Sequence, residues 1–269
     1  MKVAFQGEHG AYSEEAIRAY YGEVETVPCE SFDQLFESVI SSKSDSGLIP
    51  VENSIAGSIH QNYDLLFQHP LHITGESILR VRHCLIALPD VKKADVKKAI
   101  SHPQALGQCA EYLRKHGIKA EQVYDTAGSV KLLKESGARD TAAIASRRAA
   151  ELYEMQILEE GIEDNTENYT RFLAVQRQAI IPQGNGKTSI VFTLKGEKLA
   201  KAMSIFAQRE IDATKIESRP FQGKPWRYIY YVDFIGAADE EKVKRALDEL
   251  GQYTVTLRVL GSYTRHTSQ

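Results

Sequence analysis

Apolar and polar positions alternate along the first fifty residues in the way expected of an α/β domain. Short apolar runs have the length of buried strands, and the stretches between them have the spacing of amphipathic helices. The pattern predicts strands at residues 2–6, 24–29 and 47–51, and helices at residues 14–21 and about 32–43. Ser13 stands where a helix N-cap is expected, and Ser31 with Gln34 has the spacing of a capping box. This alternation favours a sheet covered by helices.

A second series of the same kind follows a long strand-rich stretch. Residues 73–88 are mainly apolar, with charged residues interleaved, and could carry the chain from one lobe to another. The series then predicts strands at residues 99–101, 122–124 and 142–145, helices at residues 103–116, 129–136 and 147–153, and a returning strand at residues 171–176. Two α/β lobes joined in this way would leave a cleft between them, which is a usual place for a ligand.

The last part of the chain begins after a stretch of linker composition. Residues 182–187 are rich in glycine and proline, and Lys187 is expected to be a solvated charge there. The elements beyond have the order βαββαβ of a ferredoxin-like unit, with strands at 188–194, 213–220, 228–235 and 254–260, and helices at 198–209 and 239–250. We therefore predict one domain at residues 1–181 and a second at residues 188–269.

Composition and charge are those of an ordinary globular protein. Of the 269 residues, 42% are hydrophobic and 26% are charged, and the net charge is −3. No basic cluster indicates a nucleic-acid partner, and no apolar run reaches the length of a membrane span. The chain opens on a strand-like run rather than a signal peptide, and Cys29, Cys84 and Cys109 form no Cys-x-x-Cys pair. We expect reduced thiols in a cytoplasmic protein.

Polar side chains gather at the end of the strand predicted at residues 47–51. Glu52, Asn53 and Ser54 follow one another there. The ends of strands are where open α/β sheets bind ligands. A hydrogen-bonded loop with Ser54 as a helix cap would explain part of this cluster, but the density of polar groups favours a binding or catalytic site.

Other strand ends carry similar polar groups. Ser101 ends a predicted strand, and Gln104 and Gln108 lie one turn apart on the helix that follows. Thr126 and Ser129 stand in a strand-to-helix turn, where either could simply cap the helix. These placements alone leave binding and capping open.

Two short segments add candidate chemistry at other element boundaries. Gly7 and Gly10 separate a strand from a helix, so backbone N–H groups near Ser13 could approach an anion. Thr170 and Arg171 enter the returning strand. Either segment would carry little weight by itself.

Together, these segments resemble the motifs of the prephenate dehydratase family, in the same order. The resemblance is carried by Phe-Gln-Gly-x-x-Gly-Ala-Tyr-Ser-Glu at 5–14, Pro-Val-Glu-Asn-Ser at 50–54, Ser-His-Pro-Gln-Ala-Leu at 101–106, Asp-Thr-Ala-Gly-Ser at 125–129 and Asn-Tyr-Thr-Arg-Phe at 168–172. Thr-Lys-Ile-Glu-Ser-Arg-Pro at 214–220 is similar to the effector motif of the ACT domain attached in this family. The resemblance extends over nearly the whole chain.

The resemblance implies a fold and a set of catalytic residues. The fold is a two-lobed catalytic region, similar to type II periplasmic binding proteins, followed by a βαββαβ ferredoxin-like ACT domain. Thr170 matches the essential threonine of the family, and Asn53 and Gln108 match polar residues implicated in catalysis or binding. The family uses no metal and no organic cofactor.

The implied activity is the loss of water and carbon dioxide from prephenate, which gives phenylpyruvate for phenylalanine synthesis. The departing hydroxyl needs a donor, for which Thr170 is the candidate, alone or relaying a proton from Glu52 or water. The substrate carboxylates need oriented donors. The candidates are Ser13, Ser54, Ser101, Gln104, Thr126, Ser129 and Arg171. All of these residues precede the linker, so the first domain is expected to act without the second.

Two alternatives remain beside prephenate dehydration. L-Arogenate carries an amino group in place of the side-chain keto group and would undergo the same chemistry, and the sequence alone does not decide between the substrates. A sensor that binds a small molecule without catalysis would have the same lobes, but the complete motif around Thr170 argues against it.

ACT domains of this family usually bind phenylalanine at a dimer interface. An L-phenylalanine effector and a homodimer or homotetramer are therefore expected, and the resemblance assigns effector binding to Gly196, Leu199, Glu217, Ser218, Arg219 and Pro220. The family's usual Gly-Ala-Leu is altered here, because aligning its leucine with Leu199 puts Glu197 and Lys198 at the two small positions. We expect weaker inhibition than in relatives that carry the usual motif.

Overall fold

The first lobe of the computed structural model is built around a mixed sheet with helices packed on it, as the apolar pattern predicts. The structure describes residues 1–182, 184–196 and 198–266. The elements of the first lobe are β1 (Lys2–Gln6), α1 (Tyr12–Tyr21), β2 (Glu25–Cys29), α2 (Phe32–Ile40), β3 (Ser46–Asn53), β4 (Gly57–Ser58), α3 (His60–Gln68), β5 (His72–Arg80) and the returning β11 (Tyr169–Gln176).

The strand order of this sheet brings two predicted site residues together. The order is β2-β1-β3-β11-β5, in which β1 pairs in parallel with β2 and β3, and β11 runs antiparallel to both β3 and β5. In this register Thr170 lies opposite Asn53. The end of β3 therefore meets the start of the returning strand.

The helix starts of this lobe follow one prediction and correct another. The Ser31 side chain accepts a hydrogen bond from the Gln34 backbone N–H at 3.2 Å, as the capping-box spacing predicts. Ser13, in contrast, is not the N-cap of α1. That helix already begins at Tyr12, its N-cap is Ala11, and no side chain caps it. Ser13 thus lies in the first turn, among backbone N–H groups that no side chain caps.

The second lobe has a sheet of its own, in the order β10-β6-β9-β7-β8. Its elements are β6 (Cys84–Ala87), β7 (Lys98–Ser101), α4 (Pro103–Gln108), α5 (Ala110–His116), β8 (Lys119–Gln122), α6 (Thr126–Ser136), β9 (Thr141–Ala145), α7 (Arg147–Leu152) and β10 (Gln156–Glu160). The helix predicted at residues 103–116 is broken at Cys109, where φ is −118°. The sequence did not predict β10, whose mostly polar residues lack a strand-like apolar run.

Two crossings connect the lobes. The chain leaves the first sheet after β5 and enters the second at β6, so the strand-rich stretch at residues 73–88 does carry it between lobes as predicted. It returns between β10 and β11, through residues 161–168. The cleft lies beside these crossings.

The C-terminal unit (β12 to β15 with α8 and α9) has the predicted βαββαβ order, with strands arranged β13-β14-β12-β15. Its elements are β12 (Gly186–Leu194), α8 (Leu199–Ala207), β13 (Ala213–Pro220), β14 (Tyr228–Ile235), α9 (Glu241–Tyr253) and β15 (Thr254–Thr264). Gln183 of the predicted linker lies outside the described residues. Lys187 corrects the sequence analysis, because it sits in β12 and is only 8% exposed.

The C-terminal unit shares a hydrophobic core with the first lobe. Buried first-lobe residues such as Tyr63, Leu66 and Ile73 cluster with Tyr231 and Leu260 of the C-terminal unit. The two backbones also meet closely, since a Cβ added at Gly261 would lie 2.0 Å from the Ile73 carbonyl oxygen. Only glycine fits there. No helix among the described residues is long and apolar enough to span a membrane.

Candidate active site

A cavity of about 190 Å³ lies between the two lobes. It brings together six residues that the sequence singled out, namely Ser13, Asn53, Gln104, Gln108, Thr126 and Thr170. Its wall also includes apolar side chains, among them Pro50, Val81 and Phe172. The cavity therefore has a polar part, supplied by the ends of strands and helices, and an apolar part.

Asn53 has its orientation fixed by the backbone. Its Oδ1 accepts hydrogen bonds from the N–H groups of Ile55 and Ala56, at 3.0 and 2.9 Å. Its Nδ2 must then face the other way, where it donates to Thr170 Oγ1 at 3.0 Å and to Asn168 Oδ1 at 2.8 Å. Because backbone N–H groups can only donate, the amide cannot be flipped without losing both of the bonds to Ile55 and Ala56.

Thr170 is held as a hydrogen-bond donor to the cavity. Its oxygen accepts from Asn53, and no described residue accepts its hydroxyl hydrogen. The side chain is 9% exposed and lines the cavity. A hydroxyl whose acceptor side is occupied can still donate. The arrangement thus keeps the Thr170 O–H free for an oxygen atom in the cleft.

The hydrogen-bond directions set by Asn53 also fix the side-chain amide of Gln108. Asn168 Oδ1 accepts from Asn53, so Asn168 Nδ2 is left to donate to Gln108 Oε1 at 3.1 Å. That oxygen also contacts His83 Nε2 at 2.8 Å. With the carbonyl end of Gln108 occupied twice, its NH₂ group points away from both partners. A second donor is therefore available beside the cavity that Gln108 lines.

His83 is a site residue that the sequence analysis missed. It is 2% exposed, lines the cavity and contacts Tyr12 Oη through Nδ1 at 2.8 Å. Burial lowers the pKa of His83 below its ordinary value, although Gln108 and Glu163 act in the opposite direction. The only sequence signal was one histidine between Arg82 and Cys84 at the crossing from β5 to β6. Asn168 and Tyr12 lay within quoted motifs but were not assigned a role.

The N-terminus of α1 opens onto the same cavity. Tyr12 and Ser13 occupy its first turn and line the cavity, and no side chain caps this helix. Uncapped N–H groups and the positive end of the helix dipole make a helix start suitable for an anion. The side chains of Thr126 and Gln104 face it from the second lobe. A carboxylate in the cleft would have donors from both lobes.

Three predicted contact residues are used inside the protein instead. Ser101 is fully buried and donates to the Ile144 carbonyl at 2.6 Å, and the buried Ser129 donates to the Thr126 carbonyl at 2.6 Å. Ser54 donates to the Glu167 carbonyl at 2.6 Å and accepts from the Tyr169 N–H at 2.9 Å. None of the three is among the residues that line the cavity. The sequence placed them at the correct strand ends, but each hydroxyl closes a local hydrogen bond.

Glu52 and Arg171 also fall outside the cavity, for the same reason in both cases. Neighbouring residues on a strand point to opposite faces, and Asn53 and Thr170 take the face toward the cleft. Glu52 forms an ion pair with Lys215 of the C-terminal unit at 2.9 Å. Arg171 binds Glu76 at 2.8 Å and Asp233 at 2.6 Å. The Arg171 side chain is thus mostly buried in its ion pairs, and the Glu52 side chain is directed toward the C-terminal unit.

The residues assigned to an effector are divided between two surfaces. Gly196 and Leu199 line an open cavity of about 770 Å³ on the C-terminal unit. On β13, the Glu217 carboxylate accepts a hydrogen bond from Ser58 Oγ at 2.5 Å. Arg219 on the same strand forms an ion pair with Asp64 at 2.7 Å. These two side chains face the first lobe.

The other effector candidates on β13 face away from the first lobe. The strand alternates in exposure, and Ser218 and Pro220 are on its exposed side. Lys198 stands before the first turn of α8 and no side chain caps that helix. Glu197, the other departure from the family motif, lies outside the described residues.

Comparison with known proteins gives one consistent match over the catalytic motifs. The sequence model of the prephenate dehydratase family matches residues 3–180. Arogenate dehydratase 1 of Petunia hybrida is 47% identical over 98% of this chain and 66% of its own length. An Arabidopsis thaliana protein named arogenate dehydratase/prephenate dehydratase 2, chloroplastic, is 46% identical over 100% of this chain and 74% of its own length. The chain thus spans about two thirds to three quarters of these relatives.

Solved structures of other proteins resemble the whole chain. A prephenate dehydratase from Arthrobacter aurescens in complex with L-Phe has a TM-score of 0.90 and 29% identity, covering 98% of this chain and 90% of its own. A protein described as GqqA, a novel type of quorum-quenching acylase, has a TM-score of 0.93 and 31% identity, covering 99% and 98%. The arrangement of both lobes and the C-terminal unit is therefore shared with experimental structures.

Proposed function

The chain belongs to the prephenate dehydratase family, and from that premise we propose that it converts prephenate to phenylpyruvate by expelling water and carbon dioxide. The observation that carries the proposal is the Thr170 hydroxyl, which the amide of Asn53 keeps free to donate into the cleft. The family membership gives the reaction class. The geometry gives each group a task in it.

The reaction needs help mainly at the departing hydroxyl. The ring carboxylate leaves as carbon dioxide, its bonding electrons enter the ring, and the bond to the ring hydroxyl breaks on the opposite carbon. The hydroxyl takes up one proton and leaves as water. An aliphatic alcohol is too weak an acid to surrender its proton outright, so Thr170 donates a hydrogen bond to the departing oxygen while solvent supplies the proton. One oriented donor of this kind is worth about 10²–10³ in kcat.

The two carboxylates of the substrate call for different surroundings. The side-chain carboxylate keeps its charge, and the uncapped start of α1 with Ser13 supports binding it there. The ring carboxylate must lose its charge as carbon dioxide forms. The apolar wall made by Pro50, Val81 and Phe172 favours that change, because a charge there is poorly solvated. This assignment uses both parts of the cavity.

Arogenate is the second candidate substrate, and the names of the relatives favour including it. One relative at 47% identity is named for arogenate alone, and one at 46% is named for both substrates. The ring chemistry is the same. An ultraviolet assay for phenylpyruvate, run beside an amino-acid assay for phenylalanine, tests both candidates with the full chain. Turnover of neither substrate would refute the proposal.

We further propose that the C-terminal unit is an ACT domain that responds to L-phenylalanine and pairs two copies of the chain. The L-Phe complex of the similar Arthrobacter protein and the cavity beside Gly196 and Leu199 support an effector site. Light scattering tests the pairing. Calorimetric titration with L-phenylalanine tests the site, and the altered motif leads us to expect weak binding. Micromolar binding with strong inhibition would contradict that expectation.

A further inference from the structure

We propose that His83 is a positioning residue: it holds the amide of Gln108 so that the NH₂ group faces the cleft. The inference rests on the proposed dehydration. It adds one residue, His83, that acts on the substrate through Gln108.

The contact between His83 and Gln108 joins a ring nitrogen to the side-chain amide. His83 Nε2 lies 2.8 Å from the Gln108 side-chain atom that also accepts from Asn168 Nδ2 at 3.1 Å. That atom must be the oxygen, since Asn168 is oriented by Asn53, and Asn53 is oriented by backbone N–H groups. His83 Nε2 must therefore carry a hydrogen and donate it.

The other ring nitrogen of His83, Nδ1, faces Tyr12. A neutral imidazole with its hydrogen on Nε2 has an acceptor at Nδ1. Tyr12 Oη lies 2.8 Å from that nitrogen, but its one hydrogen also has the Arg82 carbonyl oxygen as an acceptor at 2.9 Å, so Tyr12 packs against His83 without fixing its tautomer. Burial raises the pKa of Tyr12 well above its ordinary value, so the phenol keeps its hydrogen. The aromatic rings of Tyr12 and His83 also pack edge to face, with centroids 5.5 Å apart.

The side-chain amide of Gln108 needs partners that fix its orientation. Gln108 is the last residue of α4, directly before the break at Cys109, and it lines the cavity with a side chain that has several rotatable bonds. Without His83, Asn168 would be the remaining described partner of the amide oxygen. A flipped amide would present its oxygen to a substrate rich in negative oxygens. Both hydrogen bonds at Oε1 are thus needed to keep a donor, and not an acceptor, at this wall.

Hydrogen bonds of its own backbone hold His83 in place. The His83 N–H donates to Glu163 Oε2 at 2.9 Å, and the His83 carbonyl accepts from the N–H groups of Gly161 and Ile162. His83 stands at one crossing between the lobes, and residues 161 and 162 stand at the other. The imidazole is therefore anchored where the two crossings touch, while Gln108 belongs to the second lobe.

The test compares two amides at position 83. In His83→Gln the new amide nitrogen occupies about the place of Nε2 and can still donate to Gln108. In His83→Asn the shorter side chain cannot reach it. Loss of a well-placed donor lowers reaction rates by about 10²–10³. Misplacing the donor lowers them by less. We expect His83→Asn to lose about 10–100-fold in kcat, with KM changed less than threefold, and His83→Gln to recover at least half of that loss on a logarithmic scale.

A double-mutant cycle separates positioning from a general structural effect. Against a Gln108→Leu background, His83→Asn should produce no further loss of kcat, because the residue acts through Gln108. Thermal unfolding of each variant shows whether the fold is kept. Equal kcat values for His83→Asn and His83→Gln, or an undiminished effect of His83→Asn in the Gln108→Leu background, would overturn the inference. Inactivity of the native chain toward both substrates would instead overturn the proposed function.

Discussion

The two faces of the start of β11 use polar groups in opposite ways. On the cleft face, Thr170 belongs to a chain of neutral amides and hydroxyls that leaves donors free for a ligand. On the opposite face, Arg171 belongs to a buried charge cluster (Glu76, Arg171, Lys187 and Asp233) in which the charges are paired. A site can bind only with groups that the protein has left unused. The charges assemble the protein, and the neutral groups are kept for the substrate.

The charge cluster also joins two parts of the chain. Arg171 and Glu76 belong to the first lobe, whereas Lys187 and Asp233 belong to the C-terminal unit. Burial would lower the pKa of Arg171, but Asp233, Tyr263 and Glu76 raise it above its ordinary value, so the guanidinium stays charged. Each half is neutral by itself. The cluster therefore links the units without leaving a net buried charge on either.

The largest effect is expected from removing the C-terminal unit. A chain ending at Pro182 would expose the side of the first lobe that carries Tyr63, Leu66 and Ile73, and would deprive Glu76 and Arg171 of half their partners. We expect an insoluble or unfolded product, contrary to the independence that the linker composition predicts. The control is a chain ending at His266. Circular dichroism and urea denaturation measure whether the shortened chain folds. A soluble product that unfolds cooperatively would contradict the expectation that the first lobe needs the shared core.

The next largest effect is expected from Arg171→Met. Breaking a buried ion pair from one side leaves uncompensated charge and destabilises proteins by about 3–5 kcal/mol. Among the described residues, the Asp233 carboxylate would keep Ser189 as its hydrogen-bond donor, at 2.6 Å. Urea titration should show this loss in the free energy of unfolding, while kcat of the folded protein falls less than tenfold. A free energy of unfolding close to that of the native chain would show that the cluster contributes little.

A smaller effect is expected from Asp64→Asn at the same interface. Its partner Arg219 lies 2.7 Å away, but both side chains are about a quarter exposed, so solvent screens the pair. Such pairs contribute about 0–1 kcal/mol. The variant serves as the matched control for Arg171→Met, because it removes an interface charge without touching the cluster. A loss as large as that of Arg171→Met would mean that any charge at this interface has the same effect.

The sequence predicted the position of the site better than the direction of its side chains. The polar cluster at the end of β3 indicated Asn53 as a site residue, whereas Gln108 and Thr170 were assigned by the family resemblance. Whether a residue at such an end points into the cleft depends on the register of its strand. The register of β11 against β3 includes a bulge between Arg171 and Phe172. The local pattern of apolar and polar residues does not predict this bulge.

Contacts between distant residues explain the other misses. Lys187 sits among glycines that indicate a loop, yet its partner Glu76 is 111 residues away and draws it into a buried strand at 2.9 Å. His83 has no motif of its own, and its contact with Gln108 exists only in the folded chain. Both are cases in which tertiary contacts override local composition.

The most direct test of the central claim is a pair of substitutions at Thr170, measured with the substrate that the native chain turns over. Thr170→Val keeps the shape and removes the hydroxyl, whereas Thr170→Ser keeps the hydroxyl. If the free O–H in the cleft assists the departing oxygen, Thr170→Val should lose about 10²–10³ in kcat with little change in KM. Thr170→Ser should retain most of the activity, and both variants should fold. Equal activity of Thr170→Val and the native chain would contradict the account.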